Sequence, residues 1–566
     1  MLNTKNYDFD AIVIGSGITG GWAAKELTEK GLKVLVLERG KDLQHGADYL
    51  GEHAPDWKIP YHGKPPRELY KAEYPVQSTS YAFSEATRHF FTNDKANPYT
   101  SHDGKPFDWI RADVVGGRSL LWGRQTYRWS ELDFQANALD GHGIPWPIDY
   151  KDIAPWYSYV EKFAGISGEA LGLEELPDSE FLPPMGMHKI EETIRGRLKK
   201  KAPDVHMTIG RAAILTENHN GRAACHYCGP CHRGCSTGSY FSSHSATLPA
   251  ARATGNLTLR PHSVVEKLVY DEQSKSIREV RVIDSQSGER ISFRSRLVFL
   301  CASTVASTQI LMHSTSDSFP TGLGNRSGAL GHYLMDHALG LAGMGVFLDD
   351  MDSYWFGNRP NGTYIPRFRN IKGKQEANFI RGYGYQAHVL RLDWKARLNK
   401  KGFGADLKDS LRKPGPWVWA LAAFAECLPD VRNRMYLHPS KKDRFGIPQV
   451  VFDATWRENE HRLWDDAVEQ SDRILKAAGA VFSKKQKKLE ANMGAGIHEM
   501  GTARMGKDPE QAVLNAHNQV HGIANLFVTD GACMTSASCV NPSLTYMALT
   551  ARACDFAVKQ LQSGAI

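Results

Sequence analysis

The sequence predicts an α/β protein in which a Rossmann-like dinucleotide-binding domain is joined to a second domain with an antiparallel sheet covered by helices. Three observations lead there. A strand, glycine loop, helix, strand and acid follow one another within the first 38 residues. Further buried-strand patterns begin near residues 296 and 525, and the stretch from 331 to 484 alternates aromatic and polar residues.

At 566 residues the chain is too long for one compact domain and long enough for two substantial cores. A hydrophobic share of 42% with 23% charged residues is ordinary for a globular chain. The balance of 69 basic and 62 acidic residues leaves only +7. The basic clusters Lys199–Lys201 and Lys484–Lys488 therefore read as solvated helix faces, which argues against a nucleic-acid partner. The opening residues MLNTKNYDFD lack the apolar centre of a secretory leader. The longest conspicuous apolar run, Trp417–Ala425, is about half of what a membrane-spanning helix needs. The expectation is a soluble chain with no transmembrane segment of its own, either cytoplasmic or carried to the periplasm by a signal-bearing partner.

Ala11-Ile12-Val13-Ile14 has the composition of a strand buried on both faces. It runs into Gly15-Ser16-Gly17-Ile18-Thr19-Gly20, then into helically spaced Trp22, Ala23, Ala24 and Leu27, with Gly31 closing the helix. Val34-Leu35-Val36-Leu37 is the second strand, ending on Glu38. Gly15 permits the turn, Gly17 lets a pyrophosphate approach the backbone, and Gly20 lets helix and strand close together. Glu38 is placed to accept hydrogen bonds from ribose hydroxyls. This series marks a dinucleotide site without distinguishing FAD from NAD.

Two middle segments add small-residue turns. One is Asp113-Val-Val-Gly116-Gly117-Arg118-Ser119-Leu-Leu-Trp122-Gly123. The other is the strand Arg296-Leu-Val-Phe-Leu-Cys301, which turns at Ala302-Ser303 into a helix expected over Thr304–His313. Near the C-terminus comes Gly496-Ile-His498-Glu-Met-Gly501-Thr502-Ala-Arg-Met505-Gly506. A strand over residues 525–529, the turn Asp530-Gly531, and Val540-Asn541-Pro542-Ser543-Leu-Thr545 follow it. His517 and His521, in the polar loop between, read as surface residues.

Four of the nine cysteines fall within eleven residues, as Cys225-x2-Cys228-x2-Cys231-x3-Cys235. This is the spacing of a ferredoxin-type iron–sulfur run, with Ser236 where proline usually follows. Zinc, with His226 or His232 as a spare ligand, and two disulfides are the alternatives.

The C-terminal series resembles the glucose–methanol–choline (GMC) oxidoreductases, whose pattern is H-x-x-G-T-x-x-M-G, a strand ending in D-G, then N-P-[ST] opening the last helix. The resemblance implies FAD as the dinucleotide, and His498 with Asn541 as the catalytic pair. It further implies that Asp530, Gly531, Pro542 and Ser543 meet the flavin, and that Gly116, Gly117, Ser119 and Trp122 form a flavin lid. Ala302 would lie on a turn near the FAD and Val265 on a strand meeting adenine. Those roles suit the groups: a neutral imidazole accepts a hydroxyl proton as hydride leaves for flavin N5, and a carboxamide both donates to and accepts from that hydroxyl. The cysteine run and the 122–128 stretch are similar to the catalytic subunits of bacterial sugar dehydrogenases of the glucoside 3-dehydrogenase and gluconate dehydrogenase type. That similarity implies a 4Fe-4S or 3Fe-4S cluster carrying electrons from FAD to a cytochrome c-type or quinone acceptor, a sugar or glycoside substrate oxidised at C3, and a small helper subunit.

The expected FAD domain is discontinuous, built from 1–50, 105–130, 215–330 (with the cysteine segment at 221–240) and 485–566. Residues 51–104, 131–214 and 331–484 supply the substrate domain and connecting loops. An oxygen-using oxidase, a lyase on the same fold, and a non-enzymatic electron-transfer subunit are the rival readings.

Overall fold

Strand β1 (Phe9–Ile14) enters helix α1 (Ile18–Glu29) through the glycine loop and continues to β2 (Val34–Leu37). This computed structural model describes residues 7–63, 66–354, 357–371, 375, 378–394 and 402–566. The first six residues, part of the segment expected not to be a leader, lie outside them. Further on come α2 (Lys189–Lys201), β3 (Thr208–Ile209), β4 (Leu257–Arg260), β5 (Ser263–Asp271), β6 (Ser276–Asp284) and β7 (Arg290–Phe293). Strand β8 (Ser295–Leu300) leads into α3 (Thr304–His313), the helix expected there. Next are β9 (Ala338–Phe347), β10 (Thr363–Ile365), β11 (Tyr383–Arg391) and β12 (Trp417–Ala425). Helix α4 (Glu458–Ala477), β13 (Phe482–Lys485), β14 (Leu526–Val528) and α5 (Ser543–Ser563) complete the elements that position the site.

Five strands make a parallel sheet in the order β14-β8-β1-β2-β4. Alternation divides its residues between two cores, as a sheet buried on both faces requires. Ala11, Val13, Val36 and Phe299 face Ala23, Leu27 and Ala557 of α1 and α5, whereas Ile12, Ile14, Leu37 and Leu300 face the larger core. A Cβ on Gly20 would sit 1.9 Å from the Gly15 carbonyl oxygen, so only glycine lets α1 start this close to β1. Gly15 itself has φ +96°, the left-handed turn that its place in the motif demands.

The second sheet is antiparallel, in the order β13-β9-β12-β11-β10-β3. The apolar run Trp417–Ala425 is its strand β12, paired on both sides. Trp417, Trp419, Leu421 and Ala423 pack under α2 and α4 with Ile194, Leu463 and Leu475. Two tryptophans and a leucine on one face of a doubly paired strand explain the run without a bilayer. No helix among the described residues is long and apolar enough to cross a membrane. The cluster Lys484–Lys488 is not a helix face: Lys484 and Lys485 end edge strand β13, and the remaining lysines lie in the loop after it. Exposed lysines on a sheet edge discourage further strand pairing, a use of charge that composition alone does not reveal. Lys199–Lys201 do end a helix, α2, where positive charge complements the helix dipole.

Candidate active site

A cavity of about 570 Å³ reaches from the β1–α1 turn, past the 117–123 loop, to His498 and Asn541. Its outer half has the features an FAD cradle needs. No side chain caps α1 and no acidic residue occupies its first turn, so its N–H groups stand free for an anion. Nothing lies within 4 Å of where a Gly17 Cβ would project. Glu38 is buried at the end of β2; its carboxylate accepts from the Ser16 N–H at 3.0 Å, the Ser16 hydroxyl at 2.5 Å and the Gly40 N–H at 2.8 Å. Burial raises its pKa despite these bonds. A Cβ on Gly117, at φ +51°, would lie 3.5 Å from Gly17 Cα, and the Gly116 N–H donates to Ser16 Oγ at 2.9 Å, so the lid segment meets the glycine turn.

Ser119, Trp122, Val265, Ala302, Asp530, Gly531, Asn541 and Ser543 all line the same cavity, while Pro542 heads α5 between the last two. Gly20 and Gly116 support the turn and the lid from behind. Asp530 accepts from Ser307 Oγ and, at 3.0 Å, from the Ala532 N–H, and burial lifts its carboxyl to about 6. Arg118, in the same segment, grips the buried Glu499 carboxylate at 2.8 and 3.0 Å and donates to Ser303 Oγ at 2.8 Å. These residues fit FAD.

The inner end holds the expected catalytic pair and a partner that sequence reasoning missed. His337 Nε2 lies 3.0 Å from the Ser538 carbonyl oxygen, and His337 Nδ1 lies 2.8 Å from His498 Nδ1. A carbonyl only accepts, so Nε2 of His337 carries the proton and its Nδ1 is an acceptor. Nδ1 of His498 must then be the donor, which leaves its Nε2 lone pair facing Asn541 Nδ2 at 3.4 Å. Asn541 Oδ1 in turn accepts from Gln386 Nε2. One carbonyl thus sets two tautomers and an amide orientation. Burial, then His337 and Arg118, hold the His498 pKa well below its ordinary value, and burial lowers that of His337 to about 4. Both rings are therefore neutral near pH 7, as a base must be.

The backbone under His498 is built for this. Asp336 accepts from the N–H groups of His337, Gly494, Gly496 and His498 at 2.8 to 3.1 Å, binding the 494–498 loop to the start of β9. Burial, and then Glu499, raise the Asp336 carboxyl to about 7. Ile497 and Ser538, next to His498 and under His337, have φ of 60° and 56°. Non-glycine residues in that region are strained, and strain of this kind gathers at functional sites. Nothing local in the sequence around His337 shows that its imidazole returns to His498, which lies 161 residues further along the chain. His517 and His521 are not free surface residues: His517 stacks on Phe556 at 3.9 Å, and His521 Nε2 lies 3.1 Å from the Gly506 carbonyl.

Cys225, Cys228, Cys231 and Cys235 occupy one loop, and all are free thiols, so the disulfide alternative does not hold. The Tyr227 N–H points at Cys225 Sγ at 3.4 Å, and Gly229 and Gly234 turn the chain at positive φ. Burial, then its neighbouring thiols, pushes Cys231 up to about 12. Among the described residues no three His, Cys, Asp or Glu side chains are gathered as a metal would gather them. The thiols thus share a loop without fitting a cluster as they stand. His232, within that loop, and Tyr240, just after it, reach the cavity wall.

Together the fold and the site define an FAD-dependent oxidoreductase of CH–OH donors. The chain belongs to the GMC oxidoreductase family, whose N-terminal model matches residues 9–339 and whose C-terminal model matches 429–550. It is 28% identical to 2-methyl-1,2-propanediol dehydrogenase of Mycolicibacterium austroafricanum, over 98% of this chain and 96% of that protein. It is 24% identical to the fructose dehydrogenase large subunit of Gluconobacter japonicus, over the whole of both chains. Among solved structures, pyridoxine 4-oxidase from Mesorbium loti shares the fold with a TM-score of 0.59 at 16% identity, covering 98% of this chain and 99% of that one. A formate oxidase does so with a TM-score of 0.60 at 13% identity and the same coverage.

Proposed function

We propose that this enzyme is a dehydrogenase of polyhydroxylated substrates, with C3 of glucose or a glucoside as the favoured target, giving a 3-keto sugar. The observation that carries the reading is the anchored tautomer of His498, whose Nε2 lone pair opens on the cavity beside the Asn541 amide. A substrate hydroxyl entering there replaces the Asn541 amide as donor to Nε2, and the amide holds the hydroxyl oxygen. His498 takes the hydroxyl proton as the carbon–hydrogen bond breaks. FAD, when bound, supplies the acceptor for the departing hydride. The His337 ring, 2.8 Å away, keeps the His498 Nδ1 proton in place while Nε2 takes up the new one, and the Asp336 carboxylate holds the loop beneath through the His498 backbone N–H.

Relatives named for a propanediol and for fructose support a substrate with more than one hydroxyl. The wider reading adds a cluster on Cys225, Cys228, Cys231 and Cys235 that passes electrons to a cytochrome c-type or quinone acceptor, and a helper subunit for export to the periplasm. It is supported by the cysteine spacing and by the loop's place at the cavity wall. The thiols are not closed around a centre, and the proton transfer at His498 does not depend on them.

Anaerobic titration of purified holoprotein with glucose, a methyl glucoside, gluconate and a simple diol tests the reaction. Bleaching of the oxidised flavin by the glucoside, without peroxide on admitting air, is the expected result. Bleaching by none of them would exclude the reaction. Iron and acid-labile sulfide measured on the same anaerobic sample decide the cluster, and iron-free protein of full activity would remove it.

A further inference from the structure

Strand β11 carries the catalytic end of the cavity outward. Its residues alternate, so Tyr383, Tyr385 and Ala387 pack into the helix-covered core while Gln386 and His388 line the cavity. Gln386 is fixed at the inner end by its hydrogen bond to Asn541. His388 is two residues further along, about 7 Å at the rise of a strand. The ring faces open space: it is exposed to the cavity, and among the described residues no group hydrogen-bonds to it.

The neighbours leave that space clear. Ala420 and Ala422 stand opposite His388 and Gln386 on β12, and Ala422 lines the cavity with only a methyl group. A Cβ on Gly362 would lie 2.8 Å from His388 Nδ1, so glycine makes room for the imidazole. Desolvation inside the cavity, and then the charge of Arg359, lower the pKa of the ring, so it presents one donor and one acceptor at neutral pH.

We propose that His388 is the second hydroxyl-binding position of the substrate site, set one sugar ring away from the His498–Asn541 pair. It selects substrates that carry a hydroxyl across the ring from the carbon being oxidised, in preference to monohydric alcohols. The inference rests on the reading that the alcohol is oxidised at His498, and it adds which feature of the substrate is recognised. His388 binds and orients; the proton transfer stays with His498.

The test uses FAD-loaded wild type, His388→Leu and His388→Gln. Flavin reduction is followed anaerobically with a hexose or methyl glucoside and with cyclohexanol, which keeps the ring and one hydroxyl. Loss of the bond is expected to raise the half-saturating hexose concentration about tenfold to a hundredfold in His388→Leu. The limiting rate and the cyclohexanol response stay within about threefold in the same experiment. His388→Gln, which keeps a donor and an acceptor, recovers most of the hexose affinity. Equal changes for both substrates, or no change for either, would overturn the proposal. Calorimetric binding of the hexose to the three proteins separates this inference from the reaction itself. If no alcohol reduces the flavin but hexose binding is lost in Leu and kept in Gln, the subsite stands and the reaction falls. Equal hexose binding by all three proteins overturns the subsite whatever the kinetics show.

Discussion

His498→Ala is expected to fold and hold FAD while reducing its flavin with substrate about a thousandfold more slowly than wild type, within the usual range for a lost general base. That factor corresponds to about 4 kcal/mol of transition-state stabilisation. The fold should survive because the ring borders a cavity, and water can reach the acceptor left on His337 Nδ1. Stopped-flow reduction under anaerobic conditions, with the flavin spectrum as a check on loading, measures it. A variant that reduces its flavin at the wild-type rate would end the assignment of His498 as base. A variant that loses FAD would be answered by His498→Asn, which keeps a polar side chain in the loop.

His337→Leu is the second large effect, of about ten- to a hundredfold, and its signature is in the pH profile. Leucine removes the acceptor that forces the proton onto His498 Nδ1, so the ring can place it on Nε2, where it blocks the base. It also removes one of the influences that hold the His498 pKa down. The direction follows. In the wild type the base is neutral, and activity persists, well below pH 6.5. In the variant the acidic limb of kcat/KM moves up towards 6.5. His337→Gln, whose carbonyl can again accept from Nδ1, should restore part of the rate and move the limb back. A uniform loss of rate with an unmoved limb would mean that His337 only fills space. The same depressed pKa values make the pair sensitive to acid. Stability that depends on neutral rings is complete above about pH 6.5 and declines as pH falls towards about 4, the value for His337.

What was legible in the sequence was local. The turn that needs glycine at positions 15 and 20, the acid closing β2, the helix over Thr304–His313 and the motif around His498 each lie within a few turns of chain. The tautomer chain was not legible, because it joins Ser538, His337 and His498 across three elements, and only the meeting of β9 with the 494–498 loop brings them together. Gln386 and His388 were hidden for a related reason. Their strand was expected from its alternation, but which face meets the cavity depends on α2 and α4 covering the other. The cysteine spacing supplied a ligand count; whether the sulfurs close on a centre is a matter of loop conformation, which spacing does not determine. The polar loop that carries His517 looks solvated in sequence because nothing local shows that the ring stacks on Phe556 of α5.

The parallel sheet is also a statement about time. Its strands β1 and β14 lie in one sheet with only β8 between them, yet roughly five hundred residues separate them along the chain. At about 5 to 20 residues per second, a ribosome that has released β1 needs roughly 25 to 100 seconds more to deliver β14. Throughout that interval the glycine turn exists without the Asp530 turn, and for nearly all of it without His498, so the flavin has half a seat. Tight capture of the cofactor is therefore a late event, and the stability that bound FAD lends to the native state arrives only then. Until it does, the emerging β1 and β2 expose apolar edges that belong inside a sheet, which makes this a chain whose nascent form has reason to depend on chaperones.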